Sequence, residues 1–164
     1  MAAERTPEEL DAAMVQAAFV CDFVRVRQLL TEGADPDARD DDGRTPLFSA
    51  VLGGSLGLVG LLLEAGCDVN ARDNDGWTAL HFAAQEHLPD VVRVLLGRGA
   101  DPNARDEDGA SPLWRAVFSA AGRGDIVELL LAAGAKEDLA NKAGETPRQL
   151  AERLGAGHLL VRKN

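Results

Sequence analysis

Asp73 to Arg105 reads DNDGWTALHFAAQEHLPDVVRVLLGRGADPNAR, and at Asp106 the same reading begins again. Moved back by 33 residues, it lies on Asp40 to Arg72, DDDGRTPLFSAVLGGSLGLVGLLLEAGCDVNAR, with Gly43 over Gly76, Thr45 over Thr78, Leu47 over Leu80 and Asn70 over Asn103. Moved forward, it meets Asp106, Gly109, Ser111, Pro112, Leu113 and Ala116. A fixed period of this size marks a stacked array, in which no unit buries its apolar face alone and each packs on its neighbours.

Each period repeats one physical plan. Thr45-Pro46, Thr78-Ala79 and Ser111-Pro112 supply a capping hydroxyl followed by a first-turn residue, predicting a short helix through Ala50, Ala83 or Ala116. A second helix follows with a Val-x-x-Leu-Leu stripe: Val59, Leu62, Leu63, then Val92, Leu95, Leu96, then Val127, Leu130, Leu131. Gly66, Gly99 and Gly134 are placed to end it in the left-handed conformation. The links GCDVNARDNDG and GADPNARDEDG have turn composition, and their tips are expected to project as hairpin-like fingers.

Working outward, Thr6-Pro7-Glu8-Glu9 is a helix start with hydroxyl cap, first-turn proline and acidic N-terminus. Leu10, Met14, Ala17 and Ala18 give the apolar face of that helix, and Phe23, Val26, Leu29 and Leu30 that of its partner. This unit lacks the D-x-x-G turn and reads as an amino-terminal cap. At the other end, Gly144 to Ala151 places Arg148 where the array would bury a leucine, as a carboxy-terminal cap facing water would. The organisation is one domain over 1–164: a cap at 6–39, repeats at 40–72, 73–105 and 106–140, and a cap at 141–164. The third repeat has two residues more before its second helix, so the loop around Ser119 to Gly124 is expected to be longer. The change from GAD-x-N to Gly134-Ala135-Lys136-Glu137-Asp138 puts the following finger in doubt.

The chain resembles the ankyrin-repeat family. The matching stretches are the D-x-x-G-x-T-P-L-H-like starts at Asp40 to Phe48, Asp73 to His81 and Asp106 to Trp114. They are joined by the L-L-x-x-G-A-D-x-N-A-like ends at Leu62 to Ala71 and Leu95 to Ala104. The resemblance covers about residues 10 to 155 and implies an all-α repeat solenoid, with antiparallel helix pairs, perpendicular fingers and a concave face.

Bulk charge limits the partners. A net charge of −10 and a pI near 4.7 argue against a phosphate-binding surface, which needs clustered Lys and Arg, and help to keep the stack in solution. MAAERTPEEL shows no secretory signal, and the longest apolar run, Leu56 to Leu63, is too short to span a membrane. Cys21 and Cys67 have no C-x-x-C spacing and sit where the frame expects small core residues, so free thiols in a reducing cytoplasm are expected.

Catalytic chemistry has little support in the residues. His81 follows Thr78 by three residues, where the resemblance implies an imidazole bonded to the neighbouring threonine and finger backbone. His87 and Glu86 have no metal-ligand spacing. No nucleophile elbow, phosphate loop or dinucleotide glycine pattern is present. Gly53, Gly54, Gly57 and Gly60 punctuate a helix–loop–helix connection rather than a strand-to-helix turn. No cofactor or metal is expected; a metal-dependent hydrolase is the remote alternative and would need bound metal.

The resemblance places binding on the finger tips and the exposed residues of the first helices. The fingers offer Asp41, Asp42 and Arg44, then Asn74, Asp75 and Trp77, then Glu107 and Asp108; the helices offer Leu52, Gln85, Glu86, Phe118 and Ser119. Trp77 occupies a finger position that demands no aromatic, and Phe118 falls where Gln85 sits one unit earlier, so both are candidate anchors. The competing readings have Trp77 flat on its neighbouring finger and Phe118 packed under the longer loop. Acidic tips favour a basic partner, with Arg39, Arg72 and Arg105 partly offsetting their field or pairing with Asp40, Asp73 and Asp106. The expectation is a non-catalytic module binding another protein as an inhibitor, an immunity protein against a basic enzyme such as a nuclease, or an adaptor. A monomer is favoured over a dimer, and a self-associating structural subunit is the alternative.

Overall fold

The computed structural model describes residues 5–120 and 123–160. The described residues form α1 (Pro7–Phe19), α2 (Phe23–Glu32), α3 (Pro46–Leu52), α4 (Leu56–Glu64), α5 (Ala79–Gln85), α6 (Pro89–Gly97), α7 (Pro112–Ser119), α8 (Asp125–Ala132) and α9 (Pro147–Arg153). A 3₁₀ turn, Gly157–Leu160, follows. Within each pair the helices pack as a hairpin, and the pairs stack into two layers. One layer runs α1, α3, α5, α7, α9, and the other runs α2, α4, α6, α8 and the 3₁₀ turn. The architecture is an all-α solenoid.

Local chemistry sets the helix limits. Thr6 and Glu9 form a reciprocal capping box on α1, and Ser111 and Thr146 accept from Trp114 and Gln149 backbone N–H groups at the starts of α7 and α9. Gly33, Gly66, Gly99 and Gly134 take φ of 94°, 85°, 87° and 90° just past the second helices, where a Cβ would be strained. Thr45 departs from the pattern: its Oγ1 is buried and has no hydrogen-bond partner among the described residues. The core runs the length of the stack through Met14, Leu29, Leu47, Leu58, Leu62, Leu80, Leu95, Leu113, Leu130 and Leu150, all effectively inaccessible to water. A small residue at each step, Ala50, Ala83, Ala116 and Ala151, lets first helices approach closely.

Several expectations need correction. The finger after α8 is formed although its sequence departs: Asn141 N–H donates to Glu145 O, and Asn141 Oδ1 accepts from Glu145 N–H. Asn141 supplies the side-chain oxygen that aspartate supplies elsewhere. Cys21 is a half-buried residue with φ of 53° in the bend after α1, not a core position; the frame puts Gly54 and His87, also at positive φ, on the same site. Cys67 is buried, and burial pushes its thiol up to about 12. The longer connection in the third repeat is present, with α7 ending at Ser119 and α8 beginning at Asp125; residues 121 and 122 of it lie outside the described residues. So do residues 1–4 and 161–164.

Candidate functional site

Each finger is closed by its leading acid or amide. Asp40 N–H donates to Arg44 O, Gly43 N–H returns to Asp40 O, and the Asp40 carboxylate accepts from Asp42 and Arg44 N–H at 3.0 and 2.8 Å. Asp73 does the same, its carboxylate accepting from Asp75 and Trp77 N–H at 3.0 and 2.8 Å, and Asp106 accepts from Ala110 N–H at 2.9 Å. Gly76 completes the turn at φ 74°; a Cβ there would lie 2.7 Å from Arg72 Nη2 and 3.0 Å from Glu107 N. Neighbouring fingers are tied through their backbones: Asn74 N–H to Asp42 O, Glu107 N–H to Asp75 O and Lys142 N–H to Asp108 O, at 2.8 to 2.9 Å. The tips therefore form one ridge rather than separate loops.

The arginines that recur with the period do not pair with the aspartates that follow them. Arg39 Nη1 donates to Gly43 O and Arg72 O at 2.7 and 2.6 Å, Arg72 donates to Arg105 O, and Arg105 donates to Gly109 O and Ala140 O. They stitch units by donating to carbonyl oxygens. Asp73 and Asp106 face other cations: Arg44 Nε lies 3.8 Å from Asp73, and Arg115 grips Asp106 through Nε at 3.0 Å and Nη2 at 2.6 Å. Burial raises the Asp73 carboxyl, against the lowering effect of its two backbone donors and Arg44.

An aromatic and cationic row lies beneath the ridge. Phe48 meets Phe82 edge-on at 5.4 Å, Phe82 meets Trp77 at 4.7 Å, Arg115 Cζ lies 4.4 Å from the Trp77 centroid and 5.4 Å from that of Trp114, and Trp114 stacks on Phe118 at 5.4 Å. Arg44 sits over Phe82 at 5.7 Å. Beside this row, Asp108, Trp114, Arg115, Asn141 and Lys142 line a cleft of about 450 Å³ between the last two fingers.

The expected site residues are distributed unequally over this face. Asp41, Asp75 and Glu107 are exposed and make no side-chain hydrogen bond among the described residues, while Asp42 and Asp108 pair with Arg44 and Arg115 at 3.1 Å. Asn74 spends its Nδ2 on Asp41 O at 3.0 Å, joining two fingers. Trp77 is half-buried between Phe82 and Arg115, a packed position rather than a projecting one. Phe118 is 58% exposed near the end of α7. Leu52 is 48% exposed at the end of α3, Glu86 is exposed, Gln85 is half-buried, and Ser119 donates its hydroxyl to Arg115 O.

Residues 14–106 match the family description "Ankyrin repeats (3 copies)", and residues 108–142 match "Ankyrin repeat". The chain is an ankyrin-repeat protein. It is also 45% identical over 60 residues to the 2-5A-dependent ribonuclease of Mus musculus, a match covering 36% of this chain and 8% of that enzyme. So small a share carries no activity across. Ankyrin repeats are generally protein–protein interaction modules, and the family is typically non-catalytic.

His81 in this ankyrin-repeat protein has a structural environment. Its Nδ1 accepts from Thr78 N–H at 3.1 Å, with Thr78 Oγ1 at 2.9 Å, which leaves Nε2–H to donate to Ala110 O at 3.1 Å. Burial lowers its pKa to about 4, so it is neutral at physiological pH. In the flanking repeats Phe48 and Trp114 replace it; among the described residues Thr45 Oγ1 is then without a partner, whereas Ser111 Oγ accepts from Trp114 N–H. His87 Nε2 lies 2.9 Å from Asp125, joining adjacent bends. Among the described residues no cluster of three His, Cys, Asp or Glu could hold a metal, and no helix is long and apolar enough to cross a membrane. Arg115 and Phe82 are the residues that sequence reasoning missed. They occupy one frame position a period apart, and an arginine replacing an aromatic inside a short helix was the available signal.

Proposed function

We propose that this protein binds another protein through its concave face and finger tips, as an inhibitor, an immunity protein or an adaptor, without catalysis of its own. One observation supports the reading most directly: the backbone bonds between fingers hold the unpaired carboxylates of Asp41, Asp75 and Glu107 in a stiff exposed row. A pre-ordered row loses little freedom on binding, and its charge speeds encounter with a basic surface. Of the remaining positions, Asp42, Arg44, Asn74, Trp77 and Asp108 belong to the fingers that carry that row, while Leu52, Gln85, Glu86, Phe118 and Ser119 lie at the far ends of the first helices. Nucleic acid and membranes do not suit an acidic surface of this kind. The protein acts as a cytoplasmic monomer: its two cysteines are free thiols, and its charge of −10 opposes pairing of like faces.

The test is a pull-down from source lysate with wild-type protein and an Asp75→Lys/Glu107→Lys variant, chosen because neither side chain supports the fold. Circular dichroism should show the same helix content in both. A stoichiometric partner kept by wild type and lost by the variant supports the finger ridge. The same partner kept by both rejects it. Elution as a dimer with nothing captured favours self-association instead.

A further inference from the structure

Six of the eight large apolar side chains exposed among the described residues lie together, far from the fingers. They are Phe19 at the end of α1, Val20 just after it, Phe23 and Val24 at the start of α2, Leu52 at the end of α3 and Leu56 at the start of α4. Val24 is 75% exposed, Phe19 73% and Val20 60%. The two bends that carry them are pressed together: a Cβ on Gly53 would lie 2.2 Å from Cys21 Sγ, and one on Gly57 would lie 4.0 Å from the Phe23 ring. Gly53, Gly54 and Gly57 are themselves exposed, so the floor between the apolar side chains is bare backbone. A compact apolar patch on an otherwise charged surface marks a place where something docks.

The surroundings say what. The third bend, at the same frame positions, carries Gln85, Glu86, Pro89 and Asp90 in place of the apolar residues, and Asp22 is exposed within the patch itself. Among the described residues, the cation paired with this rim is Arg93, at 2.7 Å from Asp90. A second copy would set Asp22 and Glu86 against their like and bring together two chains of charge −10. The fitting occupant has an apolar stripe flanked by Lys or Arg. Stacked helix pairs lie roughly 10 Å apart, close to two turns of an α-helix, so residues spaced i, i+3, i+4, i+7 reach both bends.

We infer that the paired bends of α1–α2 and α3–α4 are a docking site for a basic amphipathic helix of another protein. This surface is reached from the ends of the helix pairs opposite the fingers; it shares Leu52 and the rim residues Gln85 and Glu86 with the proposed concave site but no residue of the finger ridge, so a partner can occupy it while the ridge stays free.

The probe is a fluorescent peptide of about 16 residues, long enough for four turns, with leucine on one face and lysine on the other, followed by anisotropy. Its comparators are a leucine and glutamate version and a scrambled leucine and lysine version lacking an apolar face. Binding of the first peptide, at least tenfold tighter than either comparator and weakened at least tenfold by Val20→Glu/Val24→Glu, supports the site. Asp75→Lys/Glu107→Lys, in the ridge, should leave most of that binding in place, so failure here and failure of the ridge are separate results. Equal binding of the scrambled peptide, or no effect of the double variant, overturns the inference. Sedimentation showing a wild-type dimer that Val24→Glu splits also overturns it, in favour of a second copy. Val20→Gln/Val24→Gln, which removes apolar surface without adding charge, repeats the comparison should the glutamate variant lose helix content.

Discussion

His81 shows how one residue couples burial to pH. Its pKa of about 4 lies below the ordinary 6.5, so the folded state resists protonation that the unfolded chain accepts. The stability it supports is fully present above the unfolded value and is lost as pH falls from 6.5 toward 4, by up to about 3 kcal/mol. The ring resonances of His81 should not titrate between pH 8 and 5, and urea midpoints should fall across the lower window less in His81→Gln than in wild type. Asp37 runs the other way. Burial raises its carboxyl, with Asp35 and Asp68 adding to the rise against the lowering Asp68 N–H and Arg39. Its charge therefore penalises folding above the raised pKa, and the penalty disappears as pH falls through that value. Asn70 and Asn103, at the equivalent positions, accept from the next unit's N–H and donate Nδ2 to Gly99 O and Gly134 O at 3.1 Å, which a carboxylate cannot do. Asp37→Asn should stabilise the fold by about 1 kcal/mol at pH 7, and by less below pH 4, measured by urea unfolding.

At the scale of elements, the finger and the helix after it depend on one another through side chains distant in sequence. Arg115 neutralises Asp106, whose side chain is wholly inaccessible, and also covers Trp77 of the preceding finger. Arg115→Ala leaves that carboxylate buried with the Ala110 N–H as its donor and should cost about 3 kcal/mol; Arg115→Ala/Asp106→Asn should recover a large part, giving a non-additive double-mutant cycle. Helix starts and stops were legible in the sequence because a cap lies within four residues of what it caps, as at Thr6 and Glu9. The period also revealed the stacking order. What was not legible was any contact set by packing between units: the arginine-to-carbonyl ties, the half-burial of Trp77 beneath Arg115, and the persistence of the last finger on Asn141. An aspartate beside an arginine looks like an ion pair in a string of letters; here the aspartate closes a turn and the arginine reaches forward a whole unit.

For the whole molecule, the polarity of the face that α9 presents sets whether another copy can stack on it. Arg148 stands where interior units bury leucine; its side chain is 59% exposed and meets Glu137 at 2.5 Å. Gln149, Glu152 and Arg153 extend the polar end face. Arg148→Leu/Glu152→Leu should turn that face into an open step of the array and give concentration-dependent mass in sedimentation, with helix content unchanged. Between the ends, Asp41, Asp75 and Glu107 contribute no side-chain bond to the turns on which they sit, since Asp40, Asp73 and Asp106 with their glycines close each turn. Random drift at the three tip codons therefore leaves folding intact while it changes the charge that the ridge presents. The surface can thus be rewritten by single substitutions, without first evolving a new scaffold.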